Sequence, residues 1–277
     1  MKITINGADA DIQPETEKTV GEILCALDSW LAGSGHRLSG LCVDGETANT
    51  AIMETFFDRE IDKINTLDIF TSSLLQLIAE SLFCVMQEIT AYETANFEEK
   101  IPFAENWKDS PEACLLAEQC PDIYNWTLNT FAGEGAGALA LRSIIEERLR
   151  ELQDPAGEMD RLQLLVTDVC TRLEDLPLDI QTGKDARAAE TVNIFSGTAE
   201  KIFRIINILK MEGYPVKDIT ADNTPIDAFI AEFNTALEEL LAAYEQSDSV
   251  LVGDIAEYEM APRLHKLYSA IVSKIIK

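Results

Sequence analysis

Beyond Ser72 the apolar residues of this chain stop alternating and recur every three or four positions almost to the end. Leu75, Ile78, Leu82, Val85, Ile89 and Tyr92 step by 3-4-3-4-3, and so do Val192, Phe195, Ala199, Ile202, Ile206 and Leu209. Ile226, Ile230, Phe233, Leu237, Leu240 and Tyr244 step by 4-3-4-3-4. A stripe with this period is the face of an α-helix that packs along a second helix at a shallow angle. Shorter stripes run through Leu141, Ile145, Leu149 and Leu152, and through Leu162, Val166, Val169, Leu173 and Leu176. The punctuation agrees. Ser110-Pro111 and Asp154-Pro155 have the cap-then-proline form of helix starts, Thr224-Pro225 and Ser247 look like further starts, and Gly213-Tyr214-Pro215 reads as a stop. Short breaks between long amphipathic helices make antiparallel neighbours, so residues 73–277 are expected to form an acidic helical bundle. The least regular stretch, Asn96–Asp109 with Pro102 and Trp107, reads as a long loop or short helix on the surface. No repeat is strong enough for a solenoid.

Residues 1–72 have another texture. Lys2-Ile3-Thr4-Ile5 alternates, Asn6-Gly7 is a strong hairpin turn, and Ala10-Asp11-Ile12 can return as a second strand. Thr19-Val20-Gly21-Glu22 has the form of a capping box. Behind it Val20, Ile23, Leu24, Leu27 and Leu31 recur at helical spacing until Gly33-Ser34-Gly35. Leu38 to Val43 predicts a third strand before the Asp44-Gly45 turn, and Asn65 to Thr71 a last one. The fold class expected is therefore α+β, mainly α, with a small α/β module ahead of the bundle.

The order hairpin, helix, strand, late strand resembles ubiquitin-like β-grasp modules of the bacterial sulfur-carrier type, on the segments Lys2–Gly7, Thr19–Leu31 and Leu38–Glu46. Carriers of that family end in an exposed Gly-Gly whose carboxylate is activated. Here Ile69-Phe70-Thr71-Ser72-Ser73 runs straight into helical sequence, so the resemblance implies a docking or scaffolding module rather than a carrier. A second segment, Ala236–Leu267, resembles a recurring helical hairpin of uncharacterised bacterial proteins, which implies an interaction protein and brings no catalytic residues.

Charge narrows the partners. Forty-nine Asp and Glu stand against 22 Lys and Arg, a net charge of −27. That field repels phosphate backbones and anionic lipid heads, so neither nucleic acid nor membrane is expected as a partner. It favours basic proteins or cations, although solubility alone also accounts for it. Met1–Gly7 has no apolar signal core, and the longest apolar run, Leu74 to Val85, is short and contains Gln76 and Glu80. A cytoplasmic, bacterial or archaeal protein is expected. Its six cysteines (Cys25, Cys42, Cys84, Cys114, Cys120 and Cys170) lack zinc spacing and read as reduced, mostly buried small residues.

Local motifs for chemistry are incomplete. Gly133-Glu134-Gly135-Ala136-Gly137 precedes a helix but follows a helix rather than a strand, and Glu134 opposes an anion, so it reads as a linker. No Glu-x-x-His pair or calcium-loop pattern accompanies the acidic residues. His36 and His265 have no nucleophile placed beside them by sequence. No catalytic residue, cofactor or metal is expected.

The most particular segment is Asp254-Ile255-Ala256-Glu257-Tyr258-Glu259-Met260-Ala261-Pro262-Arg263. At about 100° per residue, Glu259 projects on the apolar side with Val252 and Ile255, while Asp254 and Glu257 point away. A partly buried Glu259 needs a cation, and Arg263 at i+4 is in reach. Pro262 lacks a donor for the Tyr258 carbonyl and should kink the helix. Asp254, Glu257, Tyr258, Glu259 and Arg263 thus form either a recognition notch or a structural bend with an internal ion pair, the latter being the simpler reading. The function expected is a non-catalytic adaptor or chaperone-like protein that binds basic proteins. The alternative is an enzyme or small-ligand binder with its pocket between bundle helices or at the domain junction.

Overall fold

The structure, a computed structural model, describes residues 1–12, 14, 16–49, 52–135, 137–246 and 248–276. Ser247 as a helix start, Ala136 of the glycine-rich linker, and Lys277 lie outside the described residues. Two compact units, Met1–Leu149 and Arg150–Lys277, make up the chain.

The first unit opens with a mixed sheet. Its strands are β1 (Lys2–Ile5), β2 (Ala8–Asp9), β3 (His36–Val43), β4 (Glu46–Asn49) and β5 (Thr66–Ser73), with helix α1 (Val20–Ala32) between β2 and β3. The strand order is β2-β1-β5-β3-β4. β1 and β5 run parallel, Ile3 opposite Leu67, and every other pairing is antiparallel. Asn6 and Gly7 both take positive φ (49° and 80°), as do Asp44 and Gly45 (49° and 87°). That is the requirement of a two-residue turn whose twist matches the strands. The second strand is not Ala10–Ile12. β2 follows the turn at once, because a two-residue turn leaves no slack, and only the Ala10 N–H continues the ladder, onto Ile3. Thr19 and Glu22 form the capping box, and the α1 face Val20, Ile23, Leu24, Leu27, Leu31 packs on Leu41, Leu67 and Ile69.

Ser73 ends the sheet and caps the next helix through Gln76 N–H. Helices α2 (Leu74–Thr94), α3 (Phe97–Lys100), α4 (Phe103–Lys108), α5 (Pro111–Gln119) and α6 (Pro121–Phe131) follow. Helix α7 (Ala138–Gln153) then crosses the division between the units. Of the two readings of Asn96–Asp109, a long loop or a short helix, the structure takes the helical one. The stretch folds as α3 and α4, and Trp107 is buried beside Phe131. Among the described residues α2 alone is long and apolar enough to cross a membrane. Its Ile78, Leu82, Val85 and Ile89 are buried while Glu80 and Glu93 are exposed, so it is two-faced.

The second unit contains α8 (Pro155–Arg161), α9 (Gln163–Gln181), α10 (Asp185–Met211), α11 (Ile226–Glu245), α12 (Ser249–Asp254), a π-helical turn at Ile255–Met260, and α13 (Ala261–Ile275). Val166, Leu173, Phe195, Ile202, Phe233 and Leu264 centre one continuous core. Three expectations are corrected here. The α11 core stripe is Ile226, Phe229, Phe233, Ala236, Leu240 and Ala243, while Tyr244 is exposed. Ala236 and Ala243 join the buried face, Ile230 and Leu237 of the expected seam pack half-buried against the same core, and only Tyr244 leaves it. At the end of α7 Glu151 is the buried residue, and Leu149 and Leu152 of the expected stripe are half-buried. Finally, helix is interrupted by a two-stranded hairpin, β6 (Thr220–Ala221) and β7 (Thr224–Pro225), turned by Asp222 and Asn223 at φ 54° and 62°. Thr224-Pro225 therefore belongs to a strand, and α11 begins at Ile226.

Candidate functional site

The π-helical turn decides where the residues of Asp254–Arg263 point. α12 is pressed against α9: a Cβ added to Gly253 would lie 3.0 Å from Cβ of Pro177, a tight contact that glycine avoids. From this fixed end the chain must reach α13, whose first turn holds Pro262 and its missing N–H. The helix absorbs the proline by widening, and Ala261 N–H bonds to Ala256 O, an i to i+5 bond. Widening rotates the following residues. Met260, not Glu259, falls beneath Ile255, and Ile255, Ala256 and Met260 are buried. Glu259 is therefore not on the apolar side; its side chain is 49% exposed. The error came from applying the α-helical period across a segment that does not have it.

Arg263 and Glu259 do meet. Arg263 Nη2 is 2.6 Å and Nε 3.1 Å from Glu259 Oε2, and Nη1 lies 3.6 Å from Glu232 on α11. Asp254 is exposed and Glu257 half-buried. The hydrogen bond from the Tyr258 hydroxyl to Glu257, and then the charges of Glu257 and Asp254 with some burial, hold the phenol above its usual pKa. Tyr258 itself is 65% exposed. Tyr258, Glu259, Arg263 and Glu232, with Pro262, Phe229 and the β6–β7 turn, line a notch of about 200 Å³, and Asp254 and Glu257 lie outside it. Lys266 closes one side by pairing with Asp222 at 2.5 Å. Asp222, Glu232 and Lys266 were not singled out from sequence. The Asp222-Asn223 turn dipeptide was the available signal for the first.

No group of three metal-binding side chains occurs among the described residues. The cysteines are free, and only Cys170 is buried, its thiol pushed up to about 11 chiefly by that burial; Cys25 and Cys114 are exposed. Cys42, Cys84 and Cys120 are half-buried, so the expectation of mostly buried cysteines fails at Cys25 and Cys114.

A second constellation was invisible in the sequence. Glu151, 1% exposed, receives Arg204 at 3.1 and 3.2 Å; Glu158, equally enclosed, receives Lys201 at 3.1 Å and Arg161 at 2.5 Å. Burial raises the Glu158 pKa, but the hydrogen bonds and charges of Lys201 and Arg161 outweigh it and the net shift is downward. This cluster ties the end of α7 and α8 to α10. Its charges satisfy one another, which is a structural rather than a chemical arrangement.

Residues 1–73 match the family described as TP0873 N-terminal domain, and residues 158–270 match a domain of unknown function, DUF8042. The second match spans the whole notch. A protein of Treponema pallidum (strain Nichols), described as uncharacterized, is 24% identical over 272 residues, covering 98% of this chain and 96% of that relative. No solved structure matches the chain.

Proposed function

We propose that this protein is a non-catalytic adaptor of a bacterial cytoplasm, which recognises basic protein partners. Tyr258 carries the reading. It is a large aromatic side chain held in solvent at a rigid π-helical turn, beside an arginine already fixed by two carboxylates. Tyrosine and arginine are the side chains that most often anchor protein interfaces, and prior fixing lowers the entropy lost on binding. The charge of −27 supports a basic partner through steering. The Treponema likeness supports a bacterial source. The first 73 residues are read as a β-grasp docking module, on the strand order and the parallel β1–β5 pair. Their passage into α2 without a terminal Gly-Gly is the argument against carrier activity. A small-ligand reading draws on one cavity between bundle helices, about 330 Å³, lined by Leu176, Ala188, Val192, Tyr244 and Val252.

The test is affinity capture from the native cell with tagged full-length protein, followed by mass-spectrometric identification. Tyr258→Ala should lower recovery of the specific partner at least about tenfold, the scale of a central aromatic contact, with unchanged circular dichroism. Equal recovery by both proteins would remove Tyr258 as an anchor and return weight to the small-ligand reading.

A further inference from the structure

Helix α11 carries more apolar surface than the core uses. Its buried face is Ile226, Phe229, Phe233, Ala236, Leu240 and Ala243. At about 100° per residue, Ile230, Leu237, Leu241 and Tyr244 fall within about 60° of one another, directly beside that face. Near the start of α11, helix α10 is close: Lys210 pairs with Asp227 at 2.6 Å, and Phe203 packs edge-on against Phe233. Ile230 and Leu237 are half-buried. At the other end α10 presents Ala188, Ala189 and Val192, and Leu241 and Tyr244 are left 47% and 55% exposed.

The strip ends in a groove. Tyr244 forms one wall of the cavity of about 330 Å³, with Leu176 and Ile180 from α9, Ala188 and Val192 from α10 and Val252 from α12. Exposed apolar side chains that lead into an apolar cavity mark a surface that another molecule covers. A ridge of apolar residues three, four and seven apart suits the similarly spaced anchors of an amphipathic helix laid along it. A small apolar ligand would fill the cavity and leave Leu241, which lies outside it, in water.

Charge selects the helix. From Ile226 to Pro262 the chain has no lysine, arginine or histidine. Glu238 and Glu245 come next around α11 on the solvent side of the strip, and Asp185 lines the cavity. These three belong to no ion pair among the described residues. A second copy of this chain is repelled by its own charge of −27. We propose that the groove at the α10–α11 seam binds a basic amphipathic helix of a partner protein. The helix lays its apolar face on Leu241, Tyr244 and the cavity, with lysines or arginines over Glu238, Glu245 and Asp185. This rests on the basic-partner reading above and names the element by which such a partner docks.

The experiment titrates full-length protein by calorimetry with three synthetic peptides of about 14 residues, four helical turns. The first repeats Leu-Lys-Lys-Leu-Leu-Lys-Leu, an apolar helical face with basic flanks. The second has the same residues reordered so that no helical face is apolar, and the third has glutamate in place of lysine. The first should bind, the second at least about tenfold more weakly, and the third not at all. Leu241→Ser with Tyr244→Ser should weaken the first peptide at least about tenfold, the scale of lost anchor contacts, with an unchanged urea midpoint. Glu238→Gln with Glu245→Gln should weaken it about fivefold, as for two surface charge contacts, and fixes the location should the serine variant unfold. No binding of the first peptide, equal binding of all three, or equal affinity for both double variants would each overturn the assignment. A dimer of the protein alone, dissociated by the serine pair in sedimentation, would overturn it in favour of a second copy. Tyr244-dependent binding of the neutral dye Nile red without peptide binding would overturn it in favour of a small ligand. Peptide binding that fails while Tyr258→Ala still lowers capture leaves the adaptor reading standing; peptide binding that succeeds while capture ignores Tyr258 removes the notch alone.

Discussion

Two ion-paired regions of the second unit use the same side chains and differ in where the carboxylate sits. At the π-helical turn Arg263 reaches Glu259 at 2.6 Å, with the arginine side chain 28% and the glutamate side chain 49% exposed. In the α7–α8–α10 cluster Lys201, Arg204 and Arg161 reach Glu151 and Glu158, whose side chains are 1% and 5% exposed. Water screens the first pair and competes for it, so its net worth is small. The second set has been desolvated, and each charge there depends on its partners remaining. Equal distances therefore describe unequal energies. The buried set holds helices together, and the exposed pair fixes the Arg263 side chain at the surface of the π-helical turn.

Removing one cation from the buried cluster should break the comparison most visibly. Lys201→Met leaves Glu158 enclosed with fewer counter-charges and should cost about 3 kcal/mol, read as a shift of the urea unfolding midpoint of the second unit. A loss near that of a surface substitution would mean water reaches the cluster. A smaller effect follows from pH. Glu158 has its pKa lowered below 4.5 in the folded protein. Its contribution is fully present above the unfolded value and is lost as pH falls through the folded one. The stability difference between the wild type and Glu158→Gln should accordingly be constant near neutrality and narrow below pH 4.5. A difference that widens in acid would reverse the sign of the shift. The smallest effect belongs to the exposed pair: Arg263→Ala should cost less than about 1 kcal/mol. The coupling of Glu259→Gln with Arg263→Met in a double-mutant cycle should be weaker than that of Glu158→Gln with Lys201→Met.

Helix starts at Ser110 and Asp154, the capping box at Thr19, and the turns at Asn6-Gly7 and Asp44-Gly45 were legible in sequence. Each is settled by groups within four residues of one another. The site was less legible. The pairing of Glu259 with Arg263 spans four residues and could be read from spacing. The side on which Glu259 lies could not, because it depends on α12 being held against Pro177 of α9. The β6–β7 hairpin was overlooked because two-residue strands carry no period to detect.

The sequence by itself determined the helical character of most residues beyond Ser72, several helix starts, the strands β1, β3 and β5, and the net charge of −27. These follow from backbone hydrogen bonding, side-chain volume and periodicity, which act locally. Tertiary structure alone decided that Glu151 and Glu158 are buried, since the cations that make this tolerable lie 53 and 43 residues away on α10. It also decided that the helix after Asp254 widens into a π-helical turn. There Pro262 removes a hydrogen bond while the core claims Ile255, Ala256 and Met260 at once, and five-residue spacing places Met260 beneath Ile255 in the position the α-helical period assigned to Glu259.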